Sequence, residues 1–178
     1  MSDDDGVTVL TILYGPWPGN AHDGPYPLAA VAQRDRVPTR IYNLADYDRT
    51  ELICESHVIF VVSTTGQGEL PLSVRPLWRF LLRQGLPPDI LSDLTFTTFG
   101  LGDSTYARYC WASHMLHKRL LDLGASEWFK NGEADDQHEL GIDGGVLPWL
   151  DTFVQRLRAD LCEPSCVPYS PYVLMPPR

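Results

Sequence analysis

The feature that most constrains this chain is an unbroken apolar stretch, Val58-Ile59-Phe60-Val61-Val62, inside the segment His57–Ser63. A strand with one face in water alternates apolar and polar residues, whereas a stretch that is apolar throughout suits a strand with both faces covered. Helices packed on both faces of a parallel sheet provide that cover. The stretch therefore predicts an interior strand of an α/β protein.

Strand-like and helix-like segments alternate on either side of this stretch. Val7–Tyr14 and Leu94–Phe99 are rich in β-branched, aromatic and apolar residues. Thr39–Asn43 is a weaker candidate for an outer strand, and a further short strand is expected near Glu127–Lys130. Apolar residues recur at helical spacing in three stripes: Val74, Leu77, Trp78, Leu81 and Leu82; Trp111, Met115, Leu116, Leu120 and Leu123, with Gly124 as a C-cap; and Val146, Trp149, Leu150, Phe153, Leu157 and Leu161. We expect these stripes to pack in the core and assign them no chemistry.

Prolines disturb the pattern in two places. The segment that should form the first helix contains Gly24, Pro25 and Pro27, and each proline inside a helix costs about 3 kcal/mol. A helix here is therefore expected to be short, starting near Leu28, or distorted. The residues after Leu161 include five prolines, so this segment is predicted to be an interdomain linker.

One domain accounts for almost the whole chain. Its 178 residues are close to the usual size of a single domain, and a composition of 44% hydrophobic and 21% charged residues is too apolar for a disordered chain. We divide the chain into an acidic N-terminal tail (1–6), one folded domain (7–162) and a Pro-rich linker (163–178). A chain that ends in a linker is expected to be part of a longer protein.

Charge and cysteine content limit the partners and the compartment. The formal net charge of −9 repels nucleic acid and anionic membranes and would attract a basic protein surface. No apolar run reaches the roughly 20 residues that span a bilayer, and the acidic start Met1–Asp5 is unlike a signal peptide. The cysteines form no CxxC pair and are interpreted as reduced thiols; they are Cys54, Cys110, Cys162 and Cys166. We predict a cytoplasmic protein with no nucleic-acid and no membrane partner.

Three Gly-rich or hydroxyl-rich loops follow predicted strands, which is where doubly wound sheets bind their ligands. The loops read Gly-Pro-Trp-Pro-Gly-Asn-Ala at 15–21, Ser-Thr-Thr-Gly-Gln-Gly-Glu-Leu-Pro at 63–71 and Gly-Leu-Gly-Asp-Ser-Thr-Tyr at 100–106, and a fourth polar segment covers 133–141. Glycines let backbone amides approach a ligand closely, and Tyr106 offers a flat face for stacking on an aromatic ring. Together these loops predict a site for a ring-bearing phosphate ligand.

Other chemistries have little support in the residue pattern. Ser63 and Ser104 lack the strand–turn–helix elbow of a serine hydrolase. His114 and His117 share a helix face but have no third ligand nearby in the pattern, and we expect His138 to be a surface or capping residue. The sequence therefore predicts no catalytic side chain and no metal site.

Plainer interpretations stay open for the polar segments. Ordinary strand-end turns are the alternative for the loops at 63–71 and 100–106, and a solvated acidic loop is the alternative for Asp135 and Asp136. Because the loops occur together and in order, a ligand site is the favoured interpretation.

The polar segments resemble the motifs of a known family. The resemblance rests on 63–71 and 100–106, on Asp-Asp-Gln-His-Glu-Leu-Gly at 135–141, and on the Ile-Asp-Gly at 142–144 and Pro-Trp-Leu at 148–150 that follow it. These segments resemble the flavodoxin-like FMN domain of NADPH-dependent diflavin reductases, and most of all the branch that passes electrons to an anamorsin-type iron–sulfur protein in cytosolic Fe–S assembly. The resemblance covers Val7 to about Leu161. It implies a flavodoxin-like, doubly wound, five-stranded parallel sheet in the order 2-1-3-4-5.

The resemblance also implies FMN as the cofactor and suggests which residues bind it. The loop at 16–21 would hold the FMN phosphate, and Ser63–Gly66 would flank one side of the isoalloxazine and the ribityl chain. Leu101–Cys110 would wrap the ring with Tyr106 stacked on its outer face, and Asp136 would lie near the ribityl chain or the ring. The implied cofactor-binding residues are Pro16, Trp17, Pro18, Gly19, Asn20, Ala21, Ser63, Thr64, Thr65, Gly66, Leu101, Gly102, Asp103, Ser104, Thr105, Tyr106, Ala107, Arg108, Tyr109, Cys110 and Asp136.

The phosphate loop departs from the family's pattern Gly-Ser-x-Thr-Gly-Asn/Thr-Ala. Gly15 and 19–21 fit the pattern, but Pro16 and Pro18 replace its two hydroxyl residues. Each replacement removes a hydroxyl donor and a backbone N–H, the groups that hold a phosphate at the start of a helix. At about 1.5–3 kcal/mol for each hydrogen bond to a charged group, losing two would weaken binding about a hundredfold or more.

Two positions in the ring-binding loops also depart from the family's pattern. Larger diflavin enzymes often have an aromatic residue where Thr65 stands, so one stacking partner is missing by this comparison. The branch usually has Asn where Cys110 stands. The ring-binding loops are otherwise intact, so the resemblance predicts ring binding with weakened phosphate binding.

Three functions are compatible with these observations. The first is an FMN electron-transfer domain that takes single electrons from an FAD/NADPH module and passes them to the anamorsin-type protein. No NADPH site is visible in this chain, so the chain alone is not expected to oxidise NADPH. The second is a flavin-free or weakly flavin-binding docking module, which Pro16 and Pro18 motivate. The third is an FMN domain that reduces haem proteins.

Overall fold

The computed structural model describes residues 8–15 and 25–162, and the remaining residues lie outside that description. Within the described part, six strands form one parallel sheet and four α-helices cover it. The strands are β1 (Leu10–Tyr14), β2 (Thr39–Asn43), β3 (His57–Ser63), β4 (Thr95–Gly102), β5 (Ser126–Glu127) and β6 (Gly132–Asp135). The helices are α1 (Tyr26–Arg34), α2 (Arg75–Leu81), α3 (Trp111–Asp122) and α4 (Asp143–Leu161), with a short 3₁₀ helix at Glu51–Cys54. The order β2-β1-β3-β4-β5 confirms the predicted doubly wound topology.

The predicted fifth strand is interrupted. β5 pairs with the start of β4, from Thr95 opposite Ser126, and β6 pairs with its end, from Phe99 opposite Gly132. Between these pairings, side-chain hydroxyls of β4 replace the backbone ladder. Thr97 Oγ1 donates to the Phe129 carbonyl at 2.9 Å, and Thr98 Oγ1 donates to Asn131 Oδ1 at 2.7 Å.

The second half of that strand, β6, overlaps the polar loop segment that the sequence predicted at 133–141. The prediction of a loop was therefore wrong for residues 133–135. Gly132–Asp135 contributes only one apolar side chain, Ala134, to the core. A segment of four residues with so little apolar content carries no readable alternation. The strand pairs with β4, and Gly132 allows the Phe99 ring to lie against its backbone, where a Cβ atom would collide with that ring.

The two faces of the sheet carry two separate apolar clusters. Val58, Phe60 and Val62 point into the cluster under α2 and α3, and Ile59 and Val61 point into the cluster under α1 and α4. All five are at most 1% exposed, which confirms β3 as the interior strand. Burying a side chain of this size contributes about 1.5–3 kcal/mol, so this strand anchors both layers.

Helix α1 is short, as predicted, and begins at Tyr26 rather than near Leu28. Pro25 is its N-cap residue and Pro27 lies in its first turn. Proline is tolerated there because the first N–H groups of a helix have no intrahelical acceptor. The two prolines therefore set where the helix can start instead of breaking it.

The other predicted helices are present, with two corrections to their apolar stripes. Trp111 and Leu82 were expected in the core, but they are 43% and 50% exposed. Trp111 is the first residue of α3 and lies at the carboxyl edge of the sheet, whereas α2 ends at Leu81 and Leu82 is its C-cap. Gly124 follows α3 with φ of 90°, the left-handed conformation expected of a glycine at a helix end.

Candidate functional site

The carboxyl ends of the parallel strands bring most of the predicted site together. β3 ends at Ser63, β4 at Gly102 and β6 at Asp135, and their loops leave the same edge of the sheet. The Gly15 N–H donates to the Val61 carbonyl at 2.8 Å, so β1 ends at this edge as well. The predicted phosphate-loop residues 16–21 lie outside the described residues.

Thr64 joins the loop after β3 to the neighbouring elements. Its N–H donates to the Leu101 carbonyl at 2.8 Å. Its Oγ1 accepts a hydrogen bond from the Ala112 N–H at 3.2 Å, one of the N–H groups at the start of α3 that have no intrahelical acceptor. Thr64 therefore fixes the loop after β3 against both β4 and α3.

The rest of this loop closes on itself. The Thr65 N–H donates to the Glu69 carbonyl at 3.1 Å, and the Glu69 N–H donates back to the Thr65 carbonyl at 2.8 Å. Gly66 and Gly68 have φ of 54° and 98°. A Cβ atom on Gly68 would lie 2.5 Å from Cδ of Arg108. Only glycine at position 68 leaves room for the aliphatic part of the Arg108 side chain. This contact packs the loop after β3 against the loop after β4.

Asp103 organises the loop after β4. Its Oδ1 accepts hydrogen bonds from the Thr105 N–H at 2.8 Å and the Thr105 hydroxyl at 2.6 Å, and its Oδ2 accepts one from the Gln137 amide at 3.0 Å. The Thr105 hydrogen bonds hold the pKa of Asp103 below its usual value. Tyr106 follows on the surface and is 49% exposed, so this loop carries an aromatic ring that is open to solvent.

Asp135 connects the loop after β6 to the same loop. Its Oδ1 accepts hydrogen bonds from the Ser104 N–H and the Gln137 N–H, both at 3.0 Å. Hydrogen bonding by the Ser104 side chain is the main reason that the pKa of Asp135 is lowered, and the N–H groups of Gln137 and Ser104 lower it further. Asp136 donates its N–H to the Gly102 carbonyl at 2.8 Å and leaves its carboxylate exposed at this edge. The acidic pair is thus divided between one anchored and one exposed carboxylate.

His138 is exposed and caps a turn, as the sequence predicted. Its Nδ1 accepts a hydrogen bond from the Leu140 N–H at 3.1 Å. Its ring lies over Gly144 in the first turn of α4, where a Cβ atom would collide with it. This histidine therefore links the loop after β6 to α4.

Cys110 is buried and closes the loop after β4. It has φ of 49° and is the N-cap residue of α3. A Cβ atom on Gly100 or Gly102 would come within 3.0 Å of Cys110 atoms, so both glycines are needed for this close approach. Burial raises the pKa of the Cys110 thiol to about 12, which keeps it protonated at neutral pH. Its side chain, like that of Leu101, is packed inside the protein, so these two residues can meet a ligand only through their backbone.

The histidines predicted to lack a metal constellation lie in a structural network. His117 Nδ1 lies 2.8 Å from Thr98 Oγ1, and its Nε2 lies 3.5 Å from Glu127. His114 pairs with Glu133. Burial lowers the pKa of His117. Across residues 8–15 and 25–162, no group of three or more metal-ligating side chains could hold a metal ion.

The sequence did not single out Ser73. Its Oγ is buried and has no hydrogen-bond partner in the structure described. It lies 3.7 Å from the position that a Cβ atom on Gly15 would take. Ser73 lies outside every motif and apolar stripe, so only the three-dimensional structure reveals its position beside the end of β1.

A protein-family model described as Flavodoxin matches residues 12–149. The chain belongs to the flavodoxin family. Its fold is similar to that of Flavodoxin 1 from Bacillus cereus, with a TM-score of 0.69 and 19% identity over 86% of this chain and 99% of that one. The flavodoxin of Streptococcus pneumoniae TIGR4 gives a TM-score of 0.64 and 21% identity over 85% of this chain and 99% of that one.

The sequence is more similar to proteins named NADPH-dependent diflavin oxidoreductase 1. The Mycosarcoma maydis protein is 49% identical over 153 residues, which are 86% of this chain and 23% of that protein. The Danio rerio protein is 46% identical over 151 residues, covering 85% and 25%. The Mus musculus protein is 38% identical over 166 residues, covering 93% and 28%. The chain thus spans about a quarter of the length of the curated relatives that it matches.

The flavodoxin family implies FMN as the cofactor, and the described loops fit its ring end. Tyr106 presents an exposed aromatic face. Gly66 has open space where a Cβ atom would be, so a ring can approach the backbone there. No helix in the described ranges combines the length and hydropathy needed to cross a bilayer.

Proposed function

We propose that this chain is the FMN-binding electron-transfer domain of an NADPH-dependent diflavin oxidoreductase. The observation that carries the proposal is that the three loops at the carboxyl edge are joined to one another, and that one of them carries the exposed Tyr106. The identity of 38–49% to proteins of that name supports the same assignment. In the whole protein, residues 163–178 would link this domain to an FAD/NADPH module.

When bound, FMN supplies the one-electron chemistry, and the protein supplies binding and orientation. Tyr106 would stack on the ring, and Thr64–Gly66 would border its other side. Asp103 and Asp135 hold N–H and hydroxyl donors, which lower their pKa values, so they position loops and do not act as bases near neutral pH. The Cys110 thiol, with its pKa raised to about 12, is no nucleophile. The side chains of this site therefore orient the cofactor without donating or accepting protons themselves.

The electron donor and acceptor follow from the same assignment. The FAD/NADPH module of the full-length protein would deliver single electrons, and the chain alone would not oxidise NADPH. We propose an anamorsin-type iron–sulfur protein in cytosolic Fe–S cluster assembly as the acceptor, which places the protein in the cytoplasm. The net charge of −9 and the exposed Asp136 favour docking of a basic surface at this edge, with a rate that falls as salt rises.

The first test is FMN binding by the purified chain. Titration should quench flavin fluorescence saturably in the micromolar range. A chain that shows no saturable quenching at these concentrations is not an FMN domain. Riboflavin, which lacks the phosphate, measures the contribution of the ring end alone.

A docking module that binds flavin weakly or not at all is the second candidate, and Pro16 and Pro18 favour it. Pro16→Ser with Pro18→Thr restores the two hydroxyls and two N–H groups. If their loss limits binding, the double variant should bind FMN about a hundredfold more tightly and riboflavin unchanged. An unchanged FMN affinity would show that these prolines do not limit binding.

The acceptor is tested with the full-length oxidoreductase. NADPH-driven reduction of an anamorsin-type protein should be faster than reduction of a cytochrome at equal concentration. The reverse order would favour the remaining candidate, an FMN domain that serves haem proteins.

A further inference from the structure

A buried hydroxyl group without a hydrogen-bond partner lies beside Gly15, where β1 has ended and the loop at 16–21 begins. Ser73 Oγ is buried and makes no hydrogen bond in the structure described, although the residue as a whole is only partly buried. Other atoms of Ser73 therefore reach the surface although this oxygen does not. Native proteins keep few buried polar groups without partners, and a bound ligand is one reason to keep one.

The position of this oxygen connects it to the start of the phosphate loop. Ser73 directly precedes Val74, and both side chains lie on the Cβ side of Gly15. A Cβ atom on Gly15 would meet Val74 Cγ2 at 3.2 Å and Ser73 Oγ at 3.7 Å. Gly15 is the last described residue before the loop at 16–21. Ser73 thus places a hydroxyl beside the residue that precedes Pro16, the first position at which this chain lacks one.

We propose that the Ser73 hydroxyl donates a hydrogen bond to the phosphate of FMN and replaces a donor that Pro16 has removed. This inference rests on the proposed function and adds a residue to it. The hydroxyl comes from the segment before α2, on the opposite face of the sheet from α1. The phosphate would then be held partly from the side of the sheet that carries α2 and α3.

Because Ser73 Oγ has no hydrogen-bond partner in the structure described, the substitution Ser73→Ala should have an unusual effect on stability. A serine that serves the fold loses a hydrogen bond when it is changed to alanine, and the protein becomes less stable. Ser73 Oγ has no partner to lose in the protein without ligand, so Ser73→Ala should leave the melting temperature unchanged or raise it. The melting temperature of the ligand-free alanine variant therefore distinguishes a serine that binds a ligand from a serine that stabilises the fold.

The test compares Ser73→Ala with the parent chain against FMN and riboflavin. Ser73→Ala should weaken FMN binding by about tenfold or more, the usual effect of losing a hydrogen bond to a charged group. Riboflavin binding should stay the same, because riboflavin carries no phosphate. Ser92→Ala is the matched control, since Ser92 is exposed and lies before β4 at the opposite edge of the sheet. It should change neither affinity.

The test is stronger when Ser73→Ala is also made in a protein that carries Pro16→Ser. Pro16→Ser should reduce the effect of Ser73→Ala, because the phosphate then has another hydroxyl donor. Equal weakening of FMN and riboflavin, an unchanged FMN affinity, or a lower melting temperature of the ligand-free variant would each overturn the role of Ser73. If the parent chain itself binds no FMN, both the proposed function and this inference fail. If the parent binds and Ser73→Ala binds equally well, only the inference fails.

Discussion

The site proposed here has a ring side and a phosphate side, and the two differ in how well their residues suit the cofactor. On the ring side, three loops are joined by the hydrogen bonds of Asp103 and Asp135 and by the packing of Arg108 over Gly68. On the phosphate side, Pro16 and Pro18 stand where hydroxyl residues are expected, and α1 begins only at Tyr26. In the proposed site the two ends of the cofactor would depend on different strands and loops, so one end can change in sequence while the other is kept.

The largest effect is expected from a change that breaks the ring side. A Cβ atom on Gly102 would lie 2.9 Å from the backbone nitrogen of Cys110, so Gly102→Val forces β4 and the start of α3 apart. Overpacking of this kind costs about 1–3 kcal/mol, and flavin affinity should fall for FMN and riboflavin alike. Chemical denaturation and fluorescence titration measure the two effects. A variant that binds both ligands like the parent would show that Gly102 is not part of the ring side.

Tyr106→Ala should have the next largest effect. The exposed ring is lost without disturbing the core, so stability should change little. The stacking energy of an aromatic residue on a base is about 1–3 kcal/mol, and a similar loss here weakens binding about tenfold or more. Both FMN and riboflavin should be affected, in contrast to Ser73→Ala. Tyr106→Phe is the control and should restore most of the affinity. If Tyr106→Ala weakened the binding of FMN but not of riboflavin, Tyr106 would belong to the phosphate side and not to the ring side.

The carboxylates of the ring side predict a pH dependence. The pKa values of Asp103 and Asp135 are lowered in the folded protein. A lowered pKa stabilises the fold at a pH above the unfolded value of 3.8, and this contribution disappears as the pH falls through the folded pKa. The melting temperature should therefore decrease as the pH is lowered below about 4. Asp135→Asn keeps an oxygen acceptor but does not titrate, so its decrease should be shallower. Asp143→Asn, at the start of α4, serves as the comparison.

The smallest effect tests the end of α1. Arg36 is exposed and has φ of 56°, a conformation that costs an ordinary residue about 1–2 kcal/mol. Arg36→Gly removes this strain but adds freedom to the unfolded chain, so a net stabilisation of up to about 1 kcal/mol is expected. FMN affinity should not change. A destabilised variant would mean that the Arg36 side chain contributes more to the fold than its exposure indicates.

The sequence predicted the interior strand and the loops because both depend on local patterns, whereas the order of the strands followed from the family resemblance. The apolar run of β3 indicated an interior strand, and the glycines of the loops after β3 and β4 indicated close backbone approach. Gly132–Asp135 was missed because its pairing depends on a phenylalanine ring more than 30 residues away in the chain. Ser73 was missed for a related reason, since its significance lies in its proximity to Gly15. Contacts between distant segments leave no periodic signal in a single sequence.

Trp111 illustrates the limit of helical periodicity. Its spacing matched a core stripe, but the helix begins at this residue, so no preceding turn covers it. The side chain is 43% exposed and its ring lies 6.5 Å from that of His114. Periodicity identifies the face of a helix but does not establish whether that face is covered at the end of the helix.

The interrupted strand has a consequence for the outer edge of the sheet. The outer strand of a sheet exposes unpaired N–H and C=O groups that can template pairing with another chain. Here Thr97 and Thr98 hold residues 129 and 131 through their hydroxyls, and only two short ladders, at β5 and β6, present such groups. An edge divided in this way offers no straight row for a second molecule to extend. The two threonines therefore help to keep this edge of the sheet from forming one continuous outer strand.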